Sequence, residues 1–68
     1  MKVIWNKIGN PTRYVSDQLR IQRWQLREAI HKIKARSNLG PQDRAIIYDD
    51  GTVMDADGEQ LGNIFDEV

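Results

Sequence analysis

The chain has 68 residues, with ten basic and ten acidic side chains, one histidine and no cysteine. This length predicts a single domain over 1–68 with a thin core, since a domain of that size buries only about 60% of its unfolded surface. The absence of cysteine excludes disulfides and cysteine-ligated zinc. No apolar run approaches the roughly 18 residues that span a bilayer, so no membrane-spanning segment is predicted.

The net charge of zero hides a difference between the two halves of the chain. Residues 1–36 hold nine Lys or Arg and two acids, for a net +7. Residues 37–68 hold one Arg and eight acids, for a net −7. Such asymmetry indicates either a surface that faces a polyanion or charge complementarity within the molecule.

Residues 1–12 are predicted to be a strand and turn that lead into the fold. Met1–Trp5 alternates weakly between apolar and polar residues, which is typical of a short strand or an extended segment. Residues 6–12 contain Gly9 and Pro11, which favour a turn.

Residues 13–37 are predicted to be helical. Ser16 and Asp17 are candidate N-cap residues, because their side-chain oxygens can accept hydrogen bonds from unpaired amides. The most strongly periodic stretch is 24–35, and a break near Ile21 would leave a short first helix before this main one. The helix should end within Ser37–Pro41, where asparagine or glycine can take the left-handed cap and proline cannot continue the helix.

Residues 44–65 are predicted to form a β-meander. The predicted strands are Ala45–Tyr48, Thr52–Asp55 and Gln60–Phe65. Asp-Gly turns at Asp50-Gly51 and Asp57-Gly58 separate them, because this dipeptide supplies the positive φ of tight hairpins. Gly62 marks a bulge in the last strand. The predicted fold class is therefore α+β, with one main helix, with or without a short helix before it, packed on a small antiparallel meander.

One face of the main helix is rich in basic side chains. At about 100° per residue, the apolar residues Leu19, Ile30 and Ile33 lie within about 40° of Leu26. The cationic or titratable residues that share the neighbouring stripe are Arg20, Arg23, Arg27, His31 and Lys34. Trp24 lies at its far edge and can stack on a base. This stripe predicts a nucleic-acid-binding surface of Arg20, Arg23, Trp24, Arg27 and Lys34. The alternative is a solvated face whose arginines pair with the acidic strands of the same molecule.

His31 is the only histidine, and imidazole is the side chain that titrates nearest to neutral pH. Arg27 and Lys34 adjoin it on the helix. A histidine beside cations can move the proton of a ribose 2′-hydroxyl or of a leaving group while the cations stabilise the charged phosphorane. A surface histidine without a role is the alternative, and composition alone favours it.

The acidic residues of the second half do not follow the spacing of a calcium-binding loop. They lie at turns, where aspartate is expected for local hydrogen bonding. No P-loop, nucleophile elbow, metal-binding histidine pair or dinucleotide fingerprint is present. The sequence therefore predicts no metal and no cofactor.

Two segments resemble a known family. They are Leu26-Arg27-Glu28-Ala29-Ile30-His31-Lys32-Ile33-Lys34 and the later Asp50-Gly51-Thr52-Val53 followed by Gly58-Glu59-Gln60-Leu61-Gly62-Asn63-Ile64. They look like the C-terminal toxin tips of bacterial polymorphic and contact-dependent inhibition toxins. In those proteins an AIHxIK helix precedes a meander that ends in GEx(L/I)GNI-D. The resemblance covers about residues 24–67.

The resemblance implies a metal-independent ribonuclease with a small helix-and-sheet fold similar to barnase and the colicin nucleases. It makes His31 and Lys34 the candidate catalytic pair, with Arg27 supporting them. The implied substrate is RNA, such as tRNA or rRNA, and the implied partner is an acidic immunity protein. The implied site of action is the cytoplasm, after delivery as part of a secreted toxin. The competing hypothesis is a non-catalytic module that uses the basic helix face to bind RNA or to assemble with an acidic protein surface.

Overall fold

The computed structural model describes residues 1–68 and contains a four-stranded sheet, two α-helices and one 3₁₀ turn. In chain order the elements are β1 (Val3–Lys7), α1 (Arg13–Leu19), α2 (Arg23–Arg36), β2 (Ala45–Tyr48), β3 (Thr52–Met54), β4 (Gln60–Asn63) and the 3₁₀ turn Ile64–Asp66. The strand order is β1-β2-β3-β4 and every pairing is antiparallel. The predicted α+β class is confirmed.

The N-terminal segment is a paired strand. β1 lies antiparallel to β2, with Lys7 opposite Ala45. Beyond the other end of the pairing, the Lys2 N–H donates to Asp49 Oδ1 at 3.0 Å, and the Asp49 N–H donates to the Lys2 carbonyl at 2.7 Å. The pairing of β1 with β2 extends the sheet by one strand beyond the predicted meander, and the following turn starts two residues later than expected.

The core lies between α2 and the sheet. The fully or almost fully buried apolar residues are Val15, Leu19, Leu26, Ala29, Ile30, Ile33, Ala45, Ile47, Val53 and Ile64. They come from α1, α2, β2, β3 and the 3₁₀ turn. Each buried Leu or Ile side chain contributes roughly 1.5–3 kcal/mol relative to exposure in water. The apolar stripe predicted for the main helix is therefore the face that α2 packs on the sheet.

The helical region is broken between α1 and α2, close to the predicted position. Arg20 has a φ of 58°, and the Ile21 N–H donates to the Ser16 carbonyl at 3.1 Å. This is the pattern of a Schellman stop. Gln22 then caps α2, since its N–H donates to Gln25 Oε1 at 2.9 Å while its side chain accepts from the Gln25 N–H. Such a reciprocal capping box fixes where α2 starts.

The predicted N-cap residues are wrong. α1 begins at Arg13, so Ser16 and Asp17 lie inside the helix, and the Ser16 hydroxyl donates to the Arg13 carbonyl at 2.8 Å. Val15 and Leu19 are four residues apart on one face, and both are buried. A helix starting after Ser16 would take Val15 out of that face, so burial of this pair outweighs the local capping preference.

Two strands are shorter than predicted because side chains end them. β4 stops at Asn63, whose Oδ1 accepts the N–H of Phe65 at 2.9 Å and begins the 3₁₀ turn. β3 stops at Met54, because Asp55 Oδ1 accepts two backbone N–H groups of the following turn. The predicted ends at Asp55 and Phe65 are therefore wrong by one and two residues.

Two predicted backbone irregularities are located by the structure. After α2, Asn38 rather than Gly40 has the left-handed conformation, with a φ of 59°. In β4, Gly62 and Gln60 face consecutive residues of β3, which leaves Leu61 unpaired. The bulge is therefore next to the predicted glycine.

We expect Gly51→Ala to destabilise the fold more than Gly58→Ala. Both glycines have positive φ, of 91° and 85°. A Cβ at Gly51 would lie 2.6 Å from the Phe65 ring, whereas a Cβ at Gly58 meets nothing within 4 Å. Gly58→Ala should lower the free energy of unfolding by about 1 kcal/mol from backbone strain alone, and Gly51→Ala by roughly 1–3 kcal/mol more. Urea unfolding measures both, and equal losses would contradict the steric explanation.

Candidate functional site

The outward face of α2 lines an open cleft of about 440 Å³. The residues around it are Asn10, Trp24, Arg27, Glu28, His31 and Pro41. α2 supplies four of these, while the loop after β1 supplies Asn10 and the loop after α2 supplies Pro41. The site is therefore a helix face flanked by two loops from distant parts of the chain.

His31 lies at the junction of this cleft with a smaller cavity of about 100 Å³. The smaller cavity is lined by Asn10, Ile30, His31, Lys34, Ala35, Leu39 and Pro41. His31 is exposed, while its neighbour Ile30 belongs to the core. The histidine thus stands on a rigid, packed helix and faces solvent from both cavities.

Arg27 and His31 carry no internal counter-ion. The three ion pairs of the molecule are Arg13–Asp17, Lys32–Glu28 and Arg36–Glu67. Only the last joins the basic and acidic halves. Arg36 is not part of the predicted stripe, and none of the stripe's arginines, Arg20, Arg23 and Arg27, forms an ion pair with the acidic half. Arg27 and His31 face the cleft unpaired.

Lys34 is not on the exposed stripe where the sequence placed it. Its side chain is only 4% exposed, and its ammonium donates to the carbonyls of Asp43 at 2.9 Å and Pro41 at 3.3 Å. Burial lowers the pKa of Lys34 from its ordinary value of 10.5, and the Asp43 carboxylate opposes that shift. The residue lies at the border of the apolar stripe, where a long stem can be buried while the ammonium finds carbonyl acceptors.

Two other predicted binding residues lie outside the cleft. Arg20 ends α1 in a left-handed conformation, so it does not belong to α2 and does not share a face with Arg27. Arg23 is the first residue of α2 and borders a separate depression of about 290 Å³ with Arg13 and Asp17. The structure therefore gathers Arg27, His31 and Trp24 in one cleft and separates them from Arg20 and Arg23.

Three residues of the cleft were not predicted from the sequence: Asn10, Glu28 and Pro41. Asn10 and Pro41 were assigned only to turns, and nothing local to either residue indicates that the two loops meet at α2. Glu28 follows Trp24 by four residues, which places both side chains on one helix face. That spacing was the available signal for Glu28.

The acidic turns use their carboxylates for local hydrogen bonds. Asp50 Oδ1 accepts the Thr52 N–H at 3.0 Å, and this bond lowers the pKa of Asp50. Asp55 bonds the turn after β3 in the same way. No group of three or more His, Cys, Asp or Glu side chains is arranged to hold a metal ion.

A scan against protein-family models and searches of curated proteins and solved structures return no match to this chain. Neither helix is long and apolar enough to cross a membrane.

We expect Lys34→Met to loosen the loop that carries Pro41. The substitution keeps the apolar stem but removes both hydrogen bonds to the loop carbonyls, which should lower the free energy of unfolding by about 1–3 kcal/mol. Lys32→Met is the control, because its exposed pair with Glu28 is worth roughly 0.5 kcal/mol or less. Chemical unfolding and amide exchange of residues 39–44 check this. An unchanged exchange rate in Lys34→Met would contradict a tethering role.

Proposed function

We propose that this chain is a nucleic-acid-directed domain and that its activity is metal-independent cleavage of RNA. The observation that carries the proposal is the placement of Arg27 and His31 one helical turn apart, unpaired, in a concave cleft. Exposed Trp24 lies in the same cleft. A cation, a proton-transfer group and a stacking surface are the three parts that a site for single-stranded RNA requires.

His31 would act as the general acid/base. In its neutral form the imidazole accepts the proton of a ribose 2′-hydroxyl as that oxygen attacks the adjacent phosphorus. The bond from phosphorus to the 5′-oxygen of the next nucleotide breaks, and that oxygen takes up a proton from the imidazolium or from water. The products are a 2′,3′-cyclic phosphate and a free 5′-hydroxyl, so no metal or oxidant is needed.

Arg27 would stabilise the charge that develops on the phosphorane. A guanidinium can donate two parallel hydrogen bonds to phosphate oxygens. Lys34, the other member of the pair that the family resemblance implies, has its ammonium buried on two carbonyls. In this proposal Lys34 supports the wall of the cleft, and the electrostatic role falls to Arg27.

The biological setting in this proposal follows the family resemblance. The domain is a toxin tip that is delivered as part of a secreted protein and acts in the cytoplasm on an RNA such as tRNA or rRNA. Its inhibitor is an acidic immunity protein that covers the cleft. The open cleft supports both ideas, because the unpaired Arg27 can bind a phosphate of a polyanion and the cleft is accessible to a protein partner.

A second candidate function is a non-catalytic module that binds RNA, or an acidic protein surface, through the same cleft. The observation that favours it is that His31 is the only histidine and lies in an open cleft, so a single group would carry the proton transfers. The two experiments below separate the candidates.

His31→Ala should abolish cleavage of total RNA and leave the fold intact. Removal of a general acid/base lowers rates by about 10²-fold or more. The wild-type activity should persist in excess chelator. Lys2→Ala, on an exposed cation that forms no ion pair and lies outside the cleft lining, is the control and should cleave as the wild type does. Circular dichroism verifies folding, and full activity in a folded His31→Ala variant would overturn the catalytic proposal.

Binding of a non-cleavable DNA oligonucleotide should weaken steeply with salt, and Arg27→Ala should reduce the slope of log K against log salt by about one unit. Arg13→Ala removes the same charge on α1, away from the cleft, and should leave the slope unchanged. Fluorescence anisotropy measures the slopes. Salt-insensitive self-association without oligonucleotide binding would instead favour the assembly module.

A further inference from the structure

The geometry points to a guanine-binding subsite formed by Trp24 and Glu28 at the N-terminal end of the cleft. This inference rests on the proposed function and adds a base preference to it. Both residues line the main cleft and also a neighbouring depression of about 200 Å³ that reaches Glu67 and Val68. They thus form the rim between two hollows, where a flat ring can lie against the helix.

Trp24 supplies the stacking surface. It is 63% exposed although it stands in the first turn of a helix whose opposite face forms the core. The indole is therefore unused in packing, and its faces are accessible from both hollows. Exposed aromatic rings of this kind bind unstacked bases without distinguishing among them, because every base has a π-face. The choice of base must come from a neighbouring polar group.

Glu28 supplies that group. It lies four residues after Trp24 and therefore next to it on the helix surface. Its Oε1 is 3.2 Å from the Lys32 ammonium, and both side chains are half exposed. A pair of this kind is weak, so the Lys32 ammonium can turn into solvent and leave both carboxylate oxygens to a ligand. An ionised carboxylate accepts hydrogen bonds and cannot donate them, so it selects a base edge made of donors.

Guanine alone presents two adjacent donors on its Watson–Crick edge, namely N1–H and the N2 amine. Adenine and cytosine each place a lone pair beside their single amine, and uracil flanks its one N–H with two carbonyls. A carboxylate at the edge of a stacked base can therefore accept two hydrogen bonds from guanine and meets repulsion from the other three. Recognition of unstacked bases by this edge is the usual mode of RNA reading.

The position of the subsite relative to His31 sets which bond is cleaved. Trp24 and His31 are seven residues apart, or about 10 Å along the helix axis. This distance accommodates one nucleotide, with its base on Trp24 and one of its two backbone phosphates near Arg27 and His31. We therefore expect cleavage at a phosphate that adjoins guanosine.

Titration of the full chain with guanosine, adenosine, cytidine and uridine 3′-monophosphates, followed by two-dimensional NMR, tests the subsite without using activity. The guanosine nucleotide should bind at least tenfold more tightly than the others. Glu28→Gln should remove that preference, because an amide places a donor where the carboxylate has only acceptors. Trp24→Ala should weaken all four nucleotides, and Trp24→Phe should restore part of the loss.

Glu28→Gln also weakens the ion pair with Lys32 and removes a negative charge, and one control variant tests each of these side effects. Lys32→Met frees both carboxylate oxygens and should keep or increase the guanosine preference. Glu59→Gln removes an acid in the turn before β4 and should change nothing.

Equal affinity for all four nucleotides would overturn the subsite while leaving the proposed function in place. A guanosine preference that survives in Glu28→Gln would overturn the assignment to Glu28. If no nucleotide binds, the subsite is overturned, and the His31→Ala cleavage assay decides the proposed function by itself.

Discussion

The packing of α2 on the sheet is the constraint on which the rest of the molecule depends. Leu26, Ile30 and Ile33 lie on one stripe of the helix, and they are removed from water only when that stripe packs against the sheet and the 3₁₀ turn. A helix that buries one face must expose the opposite one. The exposure of Arg27 and His31 is therefore a consequence of the core, and the same rigid packing holds them in a fixed relation to each other.

The acidic side chains of the second half of the chain mainly form hydrogen bonds within their own turns. Most acids of the second half lie at turns, and Asp50 and Asp55 hydrogen-bond to backbone N–H groups there. Only Arg36–Glu67 forms an ion pair between the halves. The acidic turns thus leave the cleft uncovered. Arg27 forms no ion pair there, although Glu28 also lines the cleft, so its attraction for anions is local and weakens with added salt.

The loops on either side of α2 convert an exposed helix face into a cleft. The loop after α2 is held by the Lys34 ammonium through two carbonyls, and its Asp43 side chain accepts the N–H of Gly40 at 2.7 Å. These bonds place Pro41 beside His31. Lys34 was expected to bind phosphate, but its ammonium holds the backbone of this loop instead. Its role differs because the side chain is buried, and a buried ammonium needs hydrogen-bond acceptors within the protein.

The sequence by itself determined the elements of this protein that depend on local patterns. The apolar spacing of α2, the Asp-Gly turns and the break near Ile21 all follow from interactions within a few residues, so composition and periodicity predict them. The N-terminal strand was predicted at residues 1–5, only as one of two alternatives, and it lies at residues 3–7. Its pairing with β2 crosses about forty positions of chain, so no local pattern defines it. Only the tertiary structure decided the membership of the cleft. It brought Asn10 and Pro41 to α2, removed Lys34 from the surface, and separated Arg20 and Arg23 from Arg27. Contacts between distant segments and the burial of a long side chain produce no periodic pattern in the sequence, so the sequence could not predict these features.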